Sequence, residues 1–248
     1  ERQKMLIDSI MITYDQRIEN FPSTENDPNN GCEIKGYKAS DMMNLQPNKI
    51  DETLQLFEES IDCLKEYSNA STISGYYRLM YKKLASLEGE DQKGFKSQML
   101  RKYLELEQYS SQGYKMSTGR KQEALATCQN NLDEIFQLIA KCSEMEPLLE
   151  KRYNESPNDP ILNAAILKLL TKKECLSSDL FLKVATSIED KTADVSYAIG
   201  IKYYRDGNYS KALQYLRDAV NLCEDCLEKE NYLLKAGQAA VVNGNTTE

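Results

Sequence analysis

Two glycine pairs set the frame of this chain. Gly200 and Gly207 stand seven residues apart, and Gly237 and Gly244 repeat that spacing 37 positions later. A fixed offset of this size marks a stacked supersecondary unit rather than a single globule, because each unit hides its apolar face against the next. The chain of 248 residues, 41% of them hydrophobic, can bury a core but is longer than one globule usually supports. Elsewhere apolar residues recur at three- and four-residue steps: Ile50, Leu54, Phe57, Ile61, Leu64, then Ile73, Tyr76, Met80, Leu84, Leu87, then Leu125, Cys128, Leu132, Ile135, Ile139, Cys142. Such spacing gives helices with one buried stripe. No segment alternates with period two for long, and Asp206-Gly207 falls between helical patterns, so no sheet is expected. The fold class this predicts is all-α, an α–α superhelix of antiparallel helix pairs.

Local signals place the elements. Asp159 followed by Pro160 supplies a capping carboxylate and a preset first helical position, which predicts a helix over 159–173; Ser178 with Asp179 opens another. The stretch from Phe21 to Pro47 carries Pro22, Pro28, Asn29-Asn30-Gly31 and Pro47, and reads as a long loop with a short helix around Gly36 to Leu45.

The segment Ala193 to Ala219 resembles a tetratricopeptide repeat (TPR), in which small residues and aromatic residues alternate at set positions along two helices. Gly200, Tyr203, Gly207, Ala212 and Ala219 occupy those positions, with Tyr209 and Leu216 as large partners. Small residues at 200 and 212 let the helices approach, while Tyr203 and Leu216 fill the space beside them. Thirty-four residues upstream, Asp159 starts a worn copy carrying Leu162, Leu169, Ser178, Leu182 and Ala185, with Ile166 at the preferred glycine. Downstream, Tyr232 to Gly244 matches a first helix only, so further chain or a frayed end is expected after Glu248. The 37-residue offset suggests that the helix through Cys223 and Cys226 runs a turn longer than usual. Glu33 to Leu64, with Gly36, Ala39, Thr53, Phe57 and Ser60, resembles a further worn repeat. These readings divide the chain into a degenerate helical region, 1–157, and TPR repeats over 158–248, in one continuous stack.

The order of features from Tyr14-Asp-Gln-Arg-Ile18 through Lys38 and Asp41 to Cys142, Asn158-Asp-Pro160 and Cys175 is similar to a group of exported bacterial TPR proteins of unknown role. That resemblance implies a periplasmic or cell-envelope location, with a signal peptide and more repeats upstream of Glu1. Asp15 and Arg17 are expected to pair with each other, fixing the first helix.

Composition excludes several functions. The chain has no histidine, which removes the commonest general base and most zinc or iron ligand sets. Acidic pairs such as Glu58-Glu59 and Glu88/Glu90 read as solvated helix faces, and no Walker or dinucleotide glycine pattern appears. No enzyme, cofactor or metal site is expected. A formal charge of −8 without a basic run disfavours nucleic acid, and no apolar stretch is long enough to span a bilayer. Asn69, Asn154, Asn208 and Asn245 begin glycosylation sequons at a frequency chance explains, and carry no assigned role.

Cys223-x-x-Cys226 has the spacing of a metal half-site or a redox pair, but without a second Cys or His pair, and within a helix rather than after a strand, the two read first as small, partly buried apolar side chains. Cys142 ends one helix, and two helices near 145–155 and 159–173 return the chain to the same edge before Cys175, so the pair forms a disulfide if the protein is exported and stays as two thiols otherwise. The first helix of each pair lines the concave face of such a stack. There, Tyr197, Ile201 and Tyr204, continued by Leu234, Gln238 and Val241, form an aromatic and apolar surface for a protein or peptide partner, or pack against further chain or a second copy. The class expected is a protein-interaction scaffold; the alternative is a module for a small ligand such as a glycan or cell-wall fragment, which the absence of Trp disfavours.

Overall fold

A computed structural model describes residues 1–22, 30–176, 178–188, 191–224, 226 and 228–244, apart from the side chain at 161. Among them are twelve α-helices and no strand. The chain forms two compact units, Glu1–Ile139 and Ala140–Glu248.

The first unit contains α1 (Arg2–Asn20), α2 (Asn30–Leu45), α3 (Ile50–Leu64), α4 (Ala70–Ala85), α5 (Gly89–Met116) and α6 (Gly119–Ile139), with a short 3-10 turn at Lys65–Tyr67 after α3. Successive helices pack as neighbours, and α4 also packs on α6. The apolar stripes of α3 and α4 meet where the sequence put them, with Phe57, Ile61, Ile73 and Met80 almost wholly enclosed. Helices come close at small residues. A Cβ on Gly36 of α2 would stand 2.8 Å from the hydroxyls of Ser60 and Thr72, and one on Gly75 of α4 would stand 2.9 Å from the Phe57 ring. Ser60 also donates to the Cys32 carbonyl at 2.7 Å, so α2 and α3 share a polar contact inside the core.

The loop expected from Phe21 to Pro47 is shorter than the sequence suggested, because α2 begins at Asn30; positions 23–29 lie outside the described residues. Its buried stripe of Cys32, Ile34, Gly36, Ala39 and Met42 outweighs the Asn-Gly turn signal at its start. Asp15 does not take Arg17 as the partner expected for it: it accepts from Lys38 on α2, while Tyr14 donates to Asp41 at 2.7 Å. Lys38 and Asp41 lie on a neighbouring helix that the sequence had left partly as loop, so cross-helix pairing replaces the local pair.

The second unit contains α7 (Cys142–Glu155), α8 (Pro160–Lys172), α9 (Asp179–Ser187), α10 (Ala193–Arg205), α11 (Tyr209–Leu222) and α12 (Lys229–Val242). Caps fix the starts: Asp159 accepts from the Leu162 amide, Ser178 from Phe181, Thr192 from Val195 and Asn208 from Lys211. Gly207 takes φ +76° in the tight turn between α10 and α11, a left-handed conformation that costs a side-chain-bearing residue. Ala212, Leu216 and Ala219 are fully enclosed, and a Cβ on Gly200 would meet Leu216 Cγ at 2.7 Å and its backbone nitrogen at 3.2 Å. Leu216 therefore sits on Gly200 rather than beside it. Tyr203 packs against the same cluster and stacks on Tyr215 at 5.6 Å.

The boundary between the two compact units falls at Ile139–Ala140, and α7 packs against α8 and α9. Cys142 opens α7 instead of ending the preceding helix; Lys141 occupies the cap position and its amide donates to Glu144 at 2.7 Å. The helix expected to run through Cys223 and Cys226 stops at Leu222, so the three extra residues of the 37-residue offset lie in the α11–α12 connection.

Gly200→Ala should destabilise the chain by about 1–3 kcal/mol, through overpacking against Leu216, whereas Gly237→Ala, with open space around it, should be neutral or stabilising by up to about 1 kcal/mol. Chemical denaturation of both variants distinguishes the two glycines. Burial and the bond to Asp41 hold the Tyr14 phenol up to about 12, so its contribution to stability is complete below the unfolded value near 10 and is lost as pH climbs toward 12. Tyr14→Phe should flatten the alkaline limb of a stability–pH curve.

Candidate functional site

In the second unit, α8, α10 and α12 converge on a cavity of about 480 Å³. From α8 come Ala164, Ala165 and Leu167, with Lys168, Thr171 and Lys172 toward its end. The start of α10 contributes Asp194, Val195, Tyr197 and Ala198, with its cap Thr192. Only the opening of α12 takes part, through Glu228, Asn231 and Tyr232. The floor is made of small side chains because α8 and α10 carry alanine at matching repeat positions, 164 and 198, exactly one 34-residue unit apart.

Tyr232 ties two of the three helices together. Its hydroxyl donates to Asp194 Oδ1 at 2.5 Å and its ring lies 4.7 Å from that of Tyr197. Burial, then the carboxylate of Asp194, pushes the Tyr232 phenol well up from its ordinary value; burial alone raises that of Tyr197. Both therefore stay neutral at physiological pH and act as apolar walls with a polar tip. The wall from α8 carries the basic residues Lys168 and Lys172, and the wall from α10 and α12 the acidic residues Asp194 and Glu228. Thr171 adds a hydroxyl that has no hydrogen-bond partner among the described residues.

Of the six residues the sequence placed on a concave binding face, Tyr197 lines this cavity and the others are elsewhere. Ile201 and Tyr204 are half-buried against Ala212, Leu213, Leu216, Ala239 and Ala240, where they join α10 to α11 and α12. Leu234 and Val241 are 59% and 64% exposed, and Gln238 is exposed and accepts from Lys235 at 3.0 Å. The physical reason is register: the cavity runs along α8 from its second turn and meets only the first turns of α10 and α12, so positions further along the last two helices fall outside it. The signal that could have found its floor was the Ala164/Ala198 repeat; nothing local marks Asn231 or Glu228.

Six cysteines form three disulfides. Cys142–Cys175 joins the start of α7 to the turn after α8, with Cα atoms 5.5 Å apart, and Cys32–Cys63 joins α2 to α3. Cys223–Cys226 closes the connection between α11 and α12, a covalent turn rather than two packed helical thiols. Glu146 lies close to both Cys142 and Cys175, in a three-residue cluster of metal-ligand type, but the two sulfurs are already bonded to each other. Cys128 is a buried free thiol whose pKa burial raises, which makes it a poor nucleophile. Three of the paired acidic residues are held by cations: Glu59 by Lys35 at 2.7 Å, Glu58 by Lys102 at 3.1 Å and Glu90 by Lys93 at 2.7 Å. Among the described residues no helix is long and apolar enough to cross a membrane.

No protein-family model and no curated protein matches the chain. Solved structures similar to the chain include two proteins. One is the crystal structure of YrrB, a TPR protein with an unusual peptide-binding site, at 14% identity and TM-score 0.41, with 89% of this chain and 97% of that one covered. The other is BtubC (BKLC) from P. vanneervenii, at 15% identity and TM-score 0.28, covering 96% and 85%.

Tyr232→Phe removes the bond to Asp194 while keeping the ring. It should cost about 1–2 kcal/mol of stability and raise amide exchange in the first turn of α12, read by hydrogen–deuterium exchange.

Proposed function

We propose that the chain is a protein-interaction scaffold that holds a segment of a partner protein in the groove between α8, α10 and α12, and that it performs no bond chemistry there. The observation that supports this most is the make-up of the groove: an alanine floor that brings the backbone within reach of a guest, beside two packed tyrosines. Its volume of about 480 Å³ suits a few side chains of a peptide. Tyrosines supply rigid contact area at little entropic cost, which is why such rings anchor interfaces. A catalytic reading has little to work with, since the shifted titratable groups of the groove are two phenols moved away from neutrality.

We also propose that the protein works in an oxidising compartment, the periplasm or cell envelope. Three disulfides support that location, because bonds of this kind do not persist against a reducing cytosol.

A random peptide library displayed on phage and panned on the whole chain tests the binding role. Peptides should be enriched that bind wild type and fail to bind Ala164→Trp, a substitution that fills the floor and leaves the circular dichroism spectrum unchanged. Enriched peptides indifferent to that substitution would move the site elsewhere. For the location, Cys142→Ser with Cys175→Ser should lower stability by about 3–4 kcal/mol, the loss expected from opening a loop of some thirty residues. Identical denaturation midpoints for the oxidised and reduced chain would remove this support.

A further inference from the structure

The walls of the groove carry opposite charge, and we infer that it selects its guest by charge order: an anionic side chain beside Lys172 of α8, an apolar side chain over Ala164 and Ala198, and a cationic side chain beside Asp194 and Glu228. This rests on the groove being the binding site, and it adds the chemical class of the segment bound.

The polarity comes from helix direction. The groove runs along α8 from its second turn to its end and takes in the first turns of α10 and α12, so Lys172 comes from a helix end and Asp194 and Glu228 from helix starts. Lysine is favoured in a last turn and carboxylates in a first turn, so each charge sits where its own helix stabilises it. The side chains nevertheless dominate the field a guest meets, since a full charge exceeds the roughly half charge of a helix terminus. Lys172 and Glu228 are both exposed, so neither has been drawn into the core of the fold. Asp194 is fixed differently: one carboxylate oxygen accepts from Tyr232, which holds the group in position at the wall. The same lining offers the methyl groups of Ala164 and Ala198 and the Tyr197 ring, a surface that rewards an apolar side chain and penalises a buried charge.

A purely acidic segment would gain at Lys172 and lose at Asp194 and Glu228; a purely basic one would do the reverse. Only a segment carrying both signs, separated by an apolar residue, satisfies both walls. Complementary charge of this kind sets partner choice and orientation more than it sets raw affinity.

The test is the same displayed library, panned in parallel on the wild-type chain and on the charge-swapped double variant Lys172→Glu with Glu228→Lys, each first shown by circular dichroism to be folded. Wild type should enrich peptides with an acidic and a basic residue on opposite sides of an apolar one, in a single order along the peptide. The swapped chain should enrich the opposite order. Synthetic peptides from the wild-type pool should bind Lys172→Glu about three- to tenfold more weakly, with the loss shrinking as salt is raised. Enriched peptides that Ala164→Trp abolishes but that show no charge order would overturn this inference and leave the binding role standing. Failure to enrich any peptide sensitive to Ala164→Trp would overturn both.

Discussion

Close approach of helices at residues without bulk is the constraint from which the rest of each unit follows. In the second unit Gly200 admits Leu216 directly onto the α10 backbone, and Ala212 and Ala219 continue the seam along α11. In the first, Gly75 receives the Phe57 ring and Gly36 receives the hydroxyls of Ser60 and Thr72. Dispersion and apolar burial both fall steeply with distance, so a pair of helices held this near gains contacts along its length that a slightly wider pair would lose. The glycines cost helix propensity and return it as packing.

That seam also decides which faces are available to other molecules. With Ile201 and Tyr204 committed to the α10, α11 and α12 contact, the side of α10 left for a guest is its opening, at Asp194, Tyr197 and Ala198. Tyr232 then seals the opening of α12 against the same turn of α10 through its ring and hydroxyl. A binding face predicted from periodicity alone shares one residue with the groove because periodicity gives the side of a helix, whereas the tilt between helices gives the portion of that side which meets its neighbours.

Legibility in the sequence followed the same division. Helices with long apolar stripes, such as α3, appear at the residues where the spacing puts them, and Asp159, Ser178 and the Gly200–Ala219 pattern marked the ends and contacts of the later pairs. The start of α2 was hidden by Asn29-Asn30-Gly31, a turn signal that tertiary burial of Cys32 and Ile34 overrides. Asp15 was assigned a local partner because sequence shows neighbours along the chain and not across helices. Within the groove, the alanines were visible as repeat positions, but the charges belong to exposed helix ends that look like any other solvated terminus until three of them are brought together.

The placement of two disulfides bears on how such a groove keeps its shape. Cys175 follows the end of α8, three residues beyond Lys172, and Cys226 precedes the start of α12, two residues before Glu228. Each bridge therefore closes the chain next to a helix end that supplies a charged wall. Helix ends are where backbone freedom concentrates, since their terminal groups lack partners within the helix. Anchoring them covalently confines Lys172 and Glu228 to a narrower range of positions than capping alone would. An interface whose charged groups are already restrained loses less freedom when a guest arrives, so more of the contact energy is expressed as affinity. By this argument the cystines of the second unit would serve the proposed groove as well as the stability of the unit, because each restrains the helix end beside it.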